Sequence, residues 1–348
     1  MNVIDQTLQH VLAETPIPSV SLNVQVAGQD VYHRTLGMAS LHPPVAALDN
    51  QPYDLASLTK PLVGSTLAAT LLEQGRLALD QPVRSVLAQV DPRITLAHLL
   101  THSAGLPAHH RFYQLPTTAW GLHTTRRQVL ERAKTTRVAC EPGTVHRYTD
   151  IGFMILCDLI ETRAGSRLDQ LFFSHIMQPT GVRDLAWGWP MAAATERCPV
   201  RGRVIVGTVH DLNAACMGGI SAHAGLFGTA RAVSTLGSAL IDAVQGRGPS
   251  GLPGKALGTL WTLPGPGSHV GGWDTPSATG YTSTGSHFPQ DGVGHLGYTG
   301  TSLWMSPGHQ TVVTLLTNRV HPADDLTHIR KVRPMIHNAV AQFLGWAD

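Results

Sequence analysis

Lysine is scarce in this chain of 348 residues, and arginine supplies most of its positive charge. The lysines stand at positions 60, 134, 255 and 331. Charged residues make up only 14% of the sequence, the formal net charge is +2, and no basic stripe is present. Because nucleic acids are bound through clustered cations, we expect no nucleic-acid partner.

Long apolar runs and targeting signals are also missing. No apolar stretch approaches the roughly 18 to 20 residues that span a membrane, so we expect no membrane span. The N-terminal segment MNVIDQTLQHVLAETPIPS has no basic stretch followed by an apolar core, which a secretory signal would have. We therefore expect a cytoplasmic location, or a periplasmic one if a leader has been removed. The hydrophobic content of 43% is typical of a folded, compact chain.

Cysteine occurs only at positions 140, 157, 198 and 216, and no two of these residues form a C-x-x-C pair. This spacing argues against a cysteine metal site and against a dense disulfide framework, and it predicts buried free thiols. Histidine occurs 19 times, but no H-E-x-x-H or similar helical pair is present. The adjacent His109 and His110 are predicted to lie in a loop or at the surface. We expect no metal and no other cofactor.

The secondary-structure pattern differs between the ends and the middle of the chain. A helix is predicted at 2–14, strand pairs at 19–28 with 30–37 and at 301–307 with 310–320, and a last helix at 325–344. The middle has helical patterns at 57–74, 95–101, 125–134, 151–164, 167–175 and 229–245. This order predicts an α+β fold, in which the N- and C-terminal parts form one antiparallel β-sheet with flanking helices and a mostly helical lobe is inserted.

The same pattern predicts a single domain, residues 1–348, with two lobes. The sheet lobe would cover approximately 1–50 and 255–348, and the helical lobe approximately 51–254. A site is expected in the cleft between them.

One of the scarce lysines lies in the nearly uncharged stretch YDLASLTKPLVGSTLAATLL, three residues after a serine. On a helix, Ser57 and Lys60 would share a face. A serine hydroxyl needs a base to become a nucleophile, and a lysine amine can serve when desolvation lowers its pKa, which an apolar setting favours. The helix N-terminus would direct backbone N–H groups at an acyl oxygen. The alternative is a serine N-cap followed by a lysine whose stem covers apolar surface.

Two further motifs follow in order. Tyr148-Thr149-Asp150 precedes an apolar helix, and His295-Leu296-Gly297 stands at the predicted start of a strand. The series S-x-x-K, Y-x-N/D and K/H-x-G resembles the serine β-lactamase and penicillin-binding-protein superfamily. More specifically, it looks like the branch of class C β-lactamases, D,D-peptidases and β-lactamase-like esterases. Segments 75–107 and 193–230 are also similar to that branch.

The resemblance implies a catalytic role for several residues in and beside these motifs. Ser57 would be the nucleophile that forms an acyl-enzyme, Lys60 its proton partner, and Tyr148 a general base or acid. The backbone N–H groups of Ser57 and Tyr298 would form the oxyanion hole.

The implied substrate-binding positions depart from the usual family pattern. His295 and Gly297 would line the substrate site, the glycine leaving room beside the strand. Asp150 stands where the family usually has asparagine, and its carboxylate would favour the ammonium form of Lys60. As an alternative, Asp150 caps the following helix. His295 and Leu296 replace a lysine and a threonine that suit an anionic group, so the triplet favours an uncharged substrate.

The predicted function is a serine hydrolase with a small-molecule substrate, either a carboxylesterase or a small-amide hydrolase. One alternative is a β-lactamase or D,D-carboxypeptidase that acts on β-lactams or D-amino-acid peptides. Another is a non-catalytic penicillin-binding or scaffold protein that keeps the fold without turnover. His102 and Ser103 are predicted to form a structural turn, and His223 is left out of the catalytic set.

Overall fold

The structure is a computed structural model that describes residues 2–115, 120, 122–277, 281–323 and 327–347. In chain order, the strands are β1 (Ser19–Val26), β2 (Gln29–Leu41), β3 (Pro44–Ala46), β4 (Tyr53–Asp54), β5 (Leu185–Trp187), β6 (Arg197–Cys198), β7 (Arg203–Val204), β8 (Leu226–Gly228), β9 (Val293–Leu296), β10 (Ser302–Ser306) and β11 (Thr311–Thr317).

In the same order, the α-helices are α1 (Val3–Glu14), α2 (Thr66–Glu73), α3 (Leu96–Leu100), α4 (His123–Lys134), α5 (Asp150–Ala164), α6 (Leu168–Phe172), α7 (Gln178–Thr180), α8 (Leu212–Cys216), α9 (Ala230–Val244), α10 (Gly254–Trp261) and α11 (Ile329–Phe343). Short 3₁₀ turns lie at Ala56–Leu58, Val83–Ser85 and Phe112–Gln114, and π-helical turns at Lys60–Ser65 and Phe173–Met177.

The main sheet has six antiparallel strands in the order β3-β2-β1-β11-β10-β9. Its N- and C-terminal halves meet where β1 pairs with β11, so that Val20 lies opposite Thr317 and Val26 opposite Thr311. This pairing confirms the predicted α+β fold with one antiparallel sheet built from both ends of the chain. The boundaries of the two lobes stay a prediction.

The central strands of this sheet are covered on both faces, since successive side chains point to opposite faces and every residue of β11 is buried. Along β11, Val313 and Leu315 face a core formed with α1 and α11, whereas Val312 and Leu316 face the larger core of the molecule. Helix α9 packs on that second face, against β1 and β11. The terminal helices agree with the prediction, although residues 325 and 326 of the predicted last helix lie outside the described residues.

The apolar stretch after Ser57 forms the buried centre of the helical part. Its π-helical turn and α2 pack against α5, which is itself buried along most of its length. The contact is close: a Cβ on Gly64 would lie 3.1 Å from the ring of Phe153. This approach brings the first turn of α5 next to Lys60. Every predicted central helix contains helical structure, whereas α8 and α10 have no counterpart among the predictions.

Two predictions about the whole chain can be compared with the structure. Among the described residues, no helix is both long and apolar enough to cross a membrane. The cysteines are free thiols, and Cys157, Cys198 and Cys216 are buried, as the sequence predicts.

Candidate active site

Ser57 lies in a tightly held turn between β4 and the π-helical turn. The preceding Ala56 has a φ of +49°, in the left-handed region that residues other than glycine seldom adopt. Two hydrogen bonds hold Ala56 in this conformation. The Ala56 N–H donates to Asp54 Oδ1 at 2.8 Å, and the Thr59 hydroxyl donates to the Ala56 carbonyl oxygen at 2.6 Å. Backbone strain of this kind persists only where the surroundings enforce it, and it is concentrated at functional sites.

Lys60 is fully buried, and its side-chain nitrogen has three hydrogen-bond acceptors. Nζ donates to Ser57 Oγ at 2.9 Å, to Asp150 Oδ1 at 2.8 Å and to the His223 carbonyl oxygen at 3.2 Å. The same atom lies 4.7 Å from the centre of the Tyr148 ring. Ser57 and Lys60 thus lie side by side, as their spacing predicts, and Asp150 joins them from 90 residues away.

The Asp150 carboxylate keeps Lys60 protonated. Burial alone would lower the pKa of Lys60, but the attraction of Asp150 and Tyr148 outweighs burial and raises the pKa above its usual value. Burial raises the pKa of Asp150, but the charge of Lys60 and the hydrogen bond from His109 outweigh burial and hold the pKa of this carboxyl group well below its usual range. The expectation that the apolar setting lowers the lysine pKa is therefore wrong, whereas the expected influence of Asp150 is confirmed.

Tyr148 is partly buried beside Lys60. Burial raises the pKa of its phenol, and the Lys60 charge, together with hydrogen bonds to Lys60 and Ser57, offsets only part of this rise. The neighbouring Asp150 carboxylate raises the phenol pKa further. Both possible proton acceptors for Ser57 are therefore protonated at neutral pH.

Asp150 is the first residue of α5, but it does not cap that helix. The hydroxyl of Thr149 accepts the hydrogen bond from the Gly152 N–H at 3.4 Å, so the alternative of an Asp150 cap is wrong. The Asp150 carboxylate instead lies at the positive end of the helix dipole. Its Oδ2 lies 3.4 Å from His109 Nδ1, and this hydrogen bond raises the pKa of His109.

His102 positions the tyrosine motif through backbone and ring contacts. Its Nδ1 accepts a hydrogen bond from the Thr149 N–H at 3.1 Å, and its carbonyl oxygen accepts one from the Arg147 N–H at 2.8 Å. Its ring packs at 4.5 Å from the Tyr148 ring and 5.1 Å from the Phe153 ring. The predicted structural turn at this position thus also fixes the place of Tyr148, which no sequence signal indicates.

A buried cluster formed by His102, His269 and His295 lies beside Tyr148, with ligand nitrogen atoms within 4.8 Å of one another. His295 Nδ1 donates to the Leu296 carbonyl oxygen at 2.7 Å, which leaves its Nε2 lone pair free for a metal. His102 differs, because its Nδ1 accepts the Thr149 N–H and the neutral ring then carries its proton on Nε2. The cluster therefore offers two of the three protein ligands of a catalytic zinc site, and we assign no metal to it.

The histidine-leucine-glycine triplet stands at the end of β9, not at the start of a strand as predicted. His295 is 2% exposed, and neither it nor Gly297 belongs to the cavity lining in the part of the chain that the structure describes. A Cβ on Gly297 would lie 1.9 Å from Thr301 Oγ1 and 2.7 Å from the Leu55 carbonyl oxygen. The glycine is thus required by the close approach of this strand end to the turn that carries Ser57.

Two arginines hold the residues after β9 in place. Arg333 donates to the carbonyl oxygens of Gly297 and Thr301, at 2.7 and 2.8 Å. Arg319 donates to the Tyr298 carbonyl oxygen, and its guanidinium group lies 4.8 Å from the centre of the Tyr298 ring. Tyr298 itself lines the cavity, as the resemblance implies for a residue beside the substrate.

A cavity of about 490 Å³ lies in front of Ser57, and Tyr148, Asp150 and Tyr298 form part of its wall. Its remaining charged or titratable lining residues, apart from a third tyrosine, are His109, Glu196, His210, Asp211 and His223. These side chains come from loops and from the edges of short elements, where no motif or periodic pattern marks them. The sequence indicates His223 only as an uncertain candidate and does not indicate the others as site residues.

Comparison with known proteins identifies the family. A family model described as β-lactamase matches residues 4–333, nearly the whole chain. This chain belongs to the β-lactamase family. The family consists of serine hydrolases, which supports a hydrolase.

Among relatives of this β-lactamase-family chain, a protein of Escherichia coli (strain K12) is provisionally named D-alanyl-D-alanine carboxypeptidase. The two are 28% identical over 349 residues, which cover 87% of this chain and 79% of the relative. An N-acetylmuramyl-L-alanine amidase of Bacillus subtilis (strain 168) is 26% identical, over 82% of this chain and 72% of the relative. The solved structure of EstCE1, a hydrolase with promiscuous acyltransferase activity, superposes with a TM-score of 0.74 at 20% identity, over 97% of this chain and 98% of the other. The last match shows the shared fold.

Proposed function

We propose that this chain hydrolyses esters or small amides through a covalent acyl-enzyme on Ser57. The observation that carries the proposal is the 2.9 Å contact between Lys60 Nζ and Ser57 Oγ at the wall of a cavity large enough for a small molecule. The nucleophile and its proton partner lie within hydrogen-bonding distance, which is the geometry that an activated serine requires. Tyr148 supplies a second group for proton transfer on the same side.

The reaction follows from these positions. Ser57 Oγ attacks the substrate carbonyl carbon while its proton passes to Lys60 or Tyr148, whichever has lost its own proton. The backbone N–H groups of Ser57 and Tyr298 stabilise the negative oxygen of the tetrahedral intermediate. The leaving group departs with the proton that Ser57 gave up, and water then attacks the acyl-enzyme and restores the serine. Because the pKa values of both proton acceptors are raised, activity should increase towards alkaline pH.

The cavity wall supports an ester or a small amide over a substrate with a carboxylate. No lysine or arginine side chain lines the cavity in the described ranges, and the charge of Lys60 is balanced by Asp150. A substrate carboxylate would therefore lose its hydration without gaining a cationic partner. Uncharged substrates avoid this penalty.

A D,D-carboxypeptidase or β-lactamase is the second candidate. The Escherichia coli relative, which is provisionally named for D-alanyl-D-alanine carboxypeptidase activity, favours it. Its substrates carry a carboxylate, which the cavity wall disfavours. If a chromogenic cephalosporin were hydrolysed faster than any simple ester, the order of the two candidates would be reversed.

Exchange of the nucleophile tests the proposal. We expect Ser57→Ala to lower the hydrolysis of short-chain 4-nitrophenyl esters by about a thousandfold or more, while the thermal unfolding curve stays that of a folded protein. Undiminished hydrolysis by folded Ser57→Ala would refute the proposal. A wild-type protein that binds the ester without turnover would instead support a non-catalytic binding protein.

A further inference from the structure

Charges of one sign dominate the wall of the cavity in front of Ser57. Three carboxylates line it, those of Asp150, Asp211 and Glu196, whereas no arginine or lysine side chain does so among the described residues. Lys60 is fully buried and pairs with Asp150 at 2.8 Å. Once this ion pair is set aside, the charges of two carboxylates remain, and the three histidines of the wall, His109, His210 and His223, add no charge while their imidazoles are neutral.

Asp211 is fixed in a way that leaves one oxygen available to a substrate. Its Oδ1 accepts the Ala214 N–H at 2.7 Å and lies 2.9 Å from His223 Nε2. In the part of the chain that the structure describes, Oδ2 has no hydrogen-bond partner, and the side chain is 26% exposed. Asp211 is thus held in place through Oδ1, while Oδ2 can still accept a hydrogen bond from a substrate. Burial raises the pKa of its carboxyl group, but His223 reverses this and the net pKa is lowered, so the charge is kept.

Glu196 brings a second carboxylate to the part of the wall near Tyr298. Its Oε2 lies 3.6 Å from His210 Nε2, which is longer than a good hydrogen bond. His210 in turn stacks on the Tyr298 ring, with 5.6 Å between the ring centres. Asp211 is linked through His223 to the Lys60 side of Ser57, and Glu196 is linked through His210 to the Tyr298 side. Negative charge is therefore present near both sides of the nucleophile.

We infer that the cavity selects esters or small amides that carry a protonated amine. An ammonium group in the cavity is attracted by Asp211 and Glu196 in a setting partly shielded from water, and it can donate a hydrogen bond to Asp211 Oδ2. A substrate carboxylate in the same place is repelled by both side chains. The inference rests on the proposed function, because it concerns the substrate of the same nucleophile.

The protonation of nearby histidines sets the conditions for the test. Asp150 and Glu196 raise the pKa values of His109 and His210 respectively, although burial acts against this at both residues. At lower pH, two imidazolium charges would weaken the attraction for an amine. An alkylammonium group keeps its proton up to a pH of about 10, so mildly alkaline buffer is suited to the measurement.

Three esters of matched length test the inference: the 4-nitrophenyl esters of 6-aminohexanoate, heptanoate and adipate, which end in an ammonium, a methyl and a carboxylate group. We expect kcat/KM to fall in this order, by about tenfold at each step, because two nearby charges act on the chain end. High salt should reduce the differences in kcat/KM among the three esters, since it screens partly exposed charges. Equal values for the ammonium and methyl esters, or a preference for the carboxylate, would overturn the inference.

Isosteric variants assign the preference to individual carboxylates. Asp211→Asn keeps an oxygen that can accept the Ala214 N–H, and we expect it to reduce the ratio of ammonium to methyl ester by about fivefold, with a smaller effect for Glu196→Gln. Asp242→Asn is the matched control, because Asp242 lies on α9 and pairs with Arg247 outside the cavity. The control should leave the ratio unchanged, and an equal change in all three variants would refute the assignment.

A binding measurement separates this inference from the proposed function. If neutral esters are hydrolysed through Ser57 without any preference for the amine, the inference fails and the proposed function stands. If no ester is hydrolysed, the proposed function fails, and calorimetry of Ser57→Ala with 6-aminohexanamide and heptanamide still tests the cavity. Tighter binding of the amine supports the inference, and equal affinity or no binding overturns it.

Discussion

The two sides of Ser57 are built in different ways. On the helical side, the buried Lys60 contacts the nucleophile and forms an ion pair with the partly exposed Asp150, and Tyr148 lies against Lys60. On the strand side, Gly297 and Tyr298 are held through their carbonyl oxygens by arginines that do not line the cavity in the described residues. The helical side therefore places ionisable groups in contact with the nucleophile, whereas the strand end itself contributes shape and backbone, and the ionisable groups near it, Glu196 and His210, lie beside Tyr298.

This difference suggests a division of work in the proposed reaction. Changes on the helical side should alter proton transfer, and so the pH dependence and kcat. Changes on the strand side should alter the distance between the nucleophile and the substrate, and so the overall efficiency and the stability of the fold. Variants on each side, with matched controls elsewhere, test whether the two sides have these separate roles.

The largest effect is expected when the proton partner is removed. Lys60→Met should lower kcat for short nitrophenyl esters by about a thousandfold, because general acid–base groups contribute on the order of 10² to 10⁴. It should also destabilise the fold, because the Asp150 carboxylate then loses its cationic partner. Steady-state kinetics and chemical denaturation measure the two effects.

A second buried lysine provides the control for this variant. Lys134 is 8% exposed and pairs with Glu131 at 2.7 Å and Asp158 at 2.8 Å, away from the cavity. Lys134→Met should destabilise the fold while the folded fraction keeps wild-type kcat. If both variants lost activity equally, the helical side would have no special part in the chemistry.

A smaller effect is expected on the strand side. Gly297→Ala would place a Cβ 2.7 Å from the Leu55 carbonyl oxygen, so the strand end and the turn that carries Ser57 must separate. Misplacement of about 1 Å at a reacting centre can lower the rate by roughly a hundredfold, and we expect a loss of about ten- to a hundredfold in kcat/KM. The shape of the pH profile should not change.

Gly258→Ala is the control for the added methyl group. A Cβ there would lie at an ordinary distance of 3.5 Å from the nearest atom, within helix α10. Because alanine is the better helix former, this variant should unfold at the same or a slightly higher temperature and keep full activity. Wild-type kcat/KM in Gly297→Ala would show that the strand side does not position the substrate.

The smallest but most diagnostic change is expected for Asp150→Asn. The Asp150 carboxylate raises the pKa values of both Lys60 and Tyr148, and burial of Lys60 without it acts to lower the lysine pKa. Whichever group accepts the proton, its basic form should become populated at lower pH in the variant. The acidic limb of the pH profile of kcat/KM should therefore move to lower pH by about one unit or more.

Asp158→Asn is the matched control for this pH shift, because Asp158 pairs with the other buried lysine, Lys134. Its profile should coincide with that of the wild type. An unchanged profile in Asp150→Asn, or a shift to higher pH, would mean that Asp150 does not control the proton acceptor.

The sequence predicts part of this site because part of it is local. The spacing of Ser57 and Lys60 is enough to place them on one face of a helical turn, and their contact at 2.9 Å agrees with it. The sheet built from both chain ends follows from strand patterns at the two ends of the chain with helical patterns between them. The position of Tyr148 beside them depends on the family resemblance, since no spacing rule connects residues so far apart.

Other features depend on contacts that a sequence does not reveal. The charge of Lys60 is set by competition between burial and Asp150, and the sequence shows only the apolar surroundings. Thr149 caps helix α5 in place of Asp150, because the Thr149 hydroxyl reaches the Gly152 N–H. Asp211 and Glu196 line the cavity from loops, where neither periodicity nor motif spacing identifies a position as facing the site.

Covalent labelling is the most direct test of Ser57 as the nucleophile. A fluorophosphonate should add one group per chain by intact mass, and peptide mapping should place it on Ser57. The Ser57→Ala protein should gain no mass, and Lys60→Met should react far more slowly than Lys134→Met. Labelling at another residue, or continued ester hydrolysis without any adduct on Ser57, would show that Ser57 is not the nucleophile.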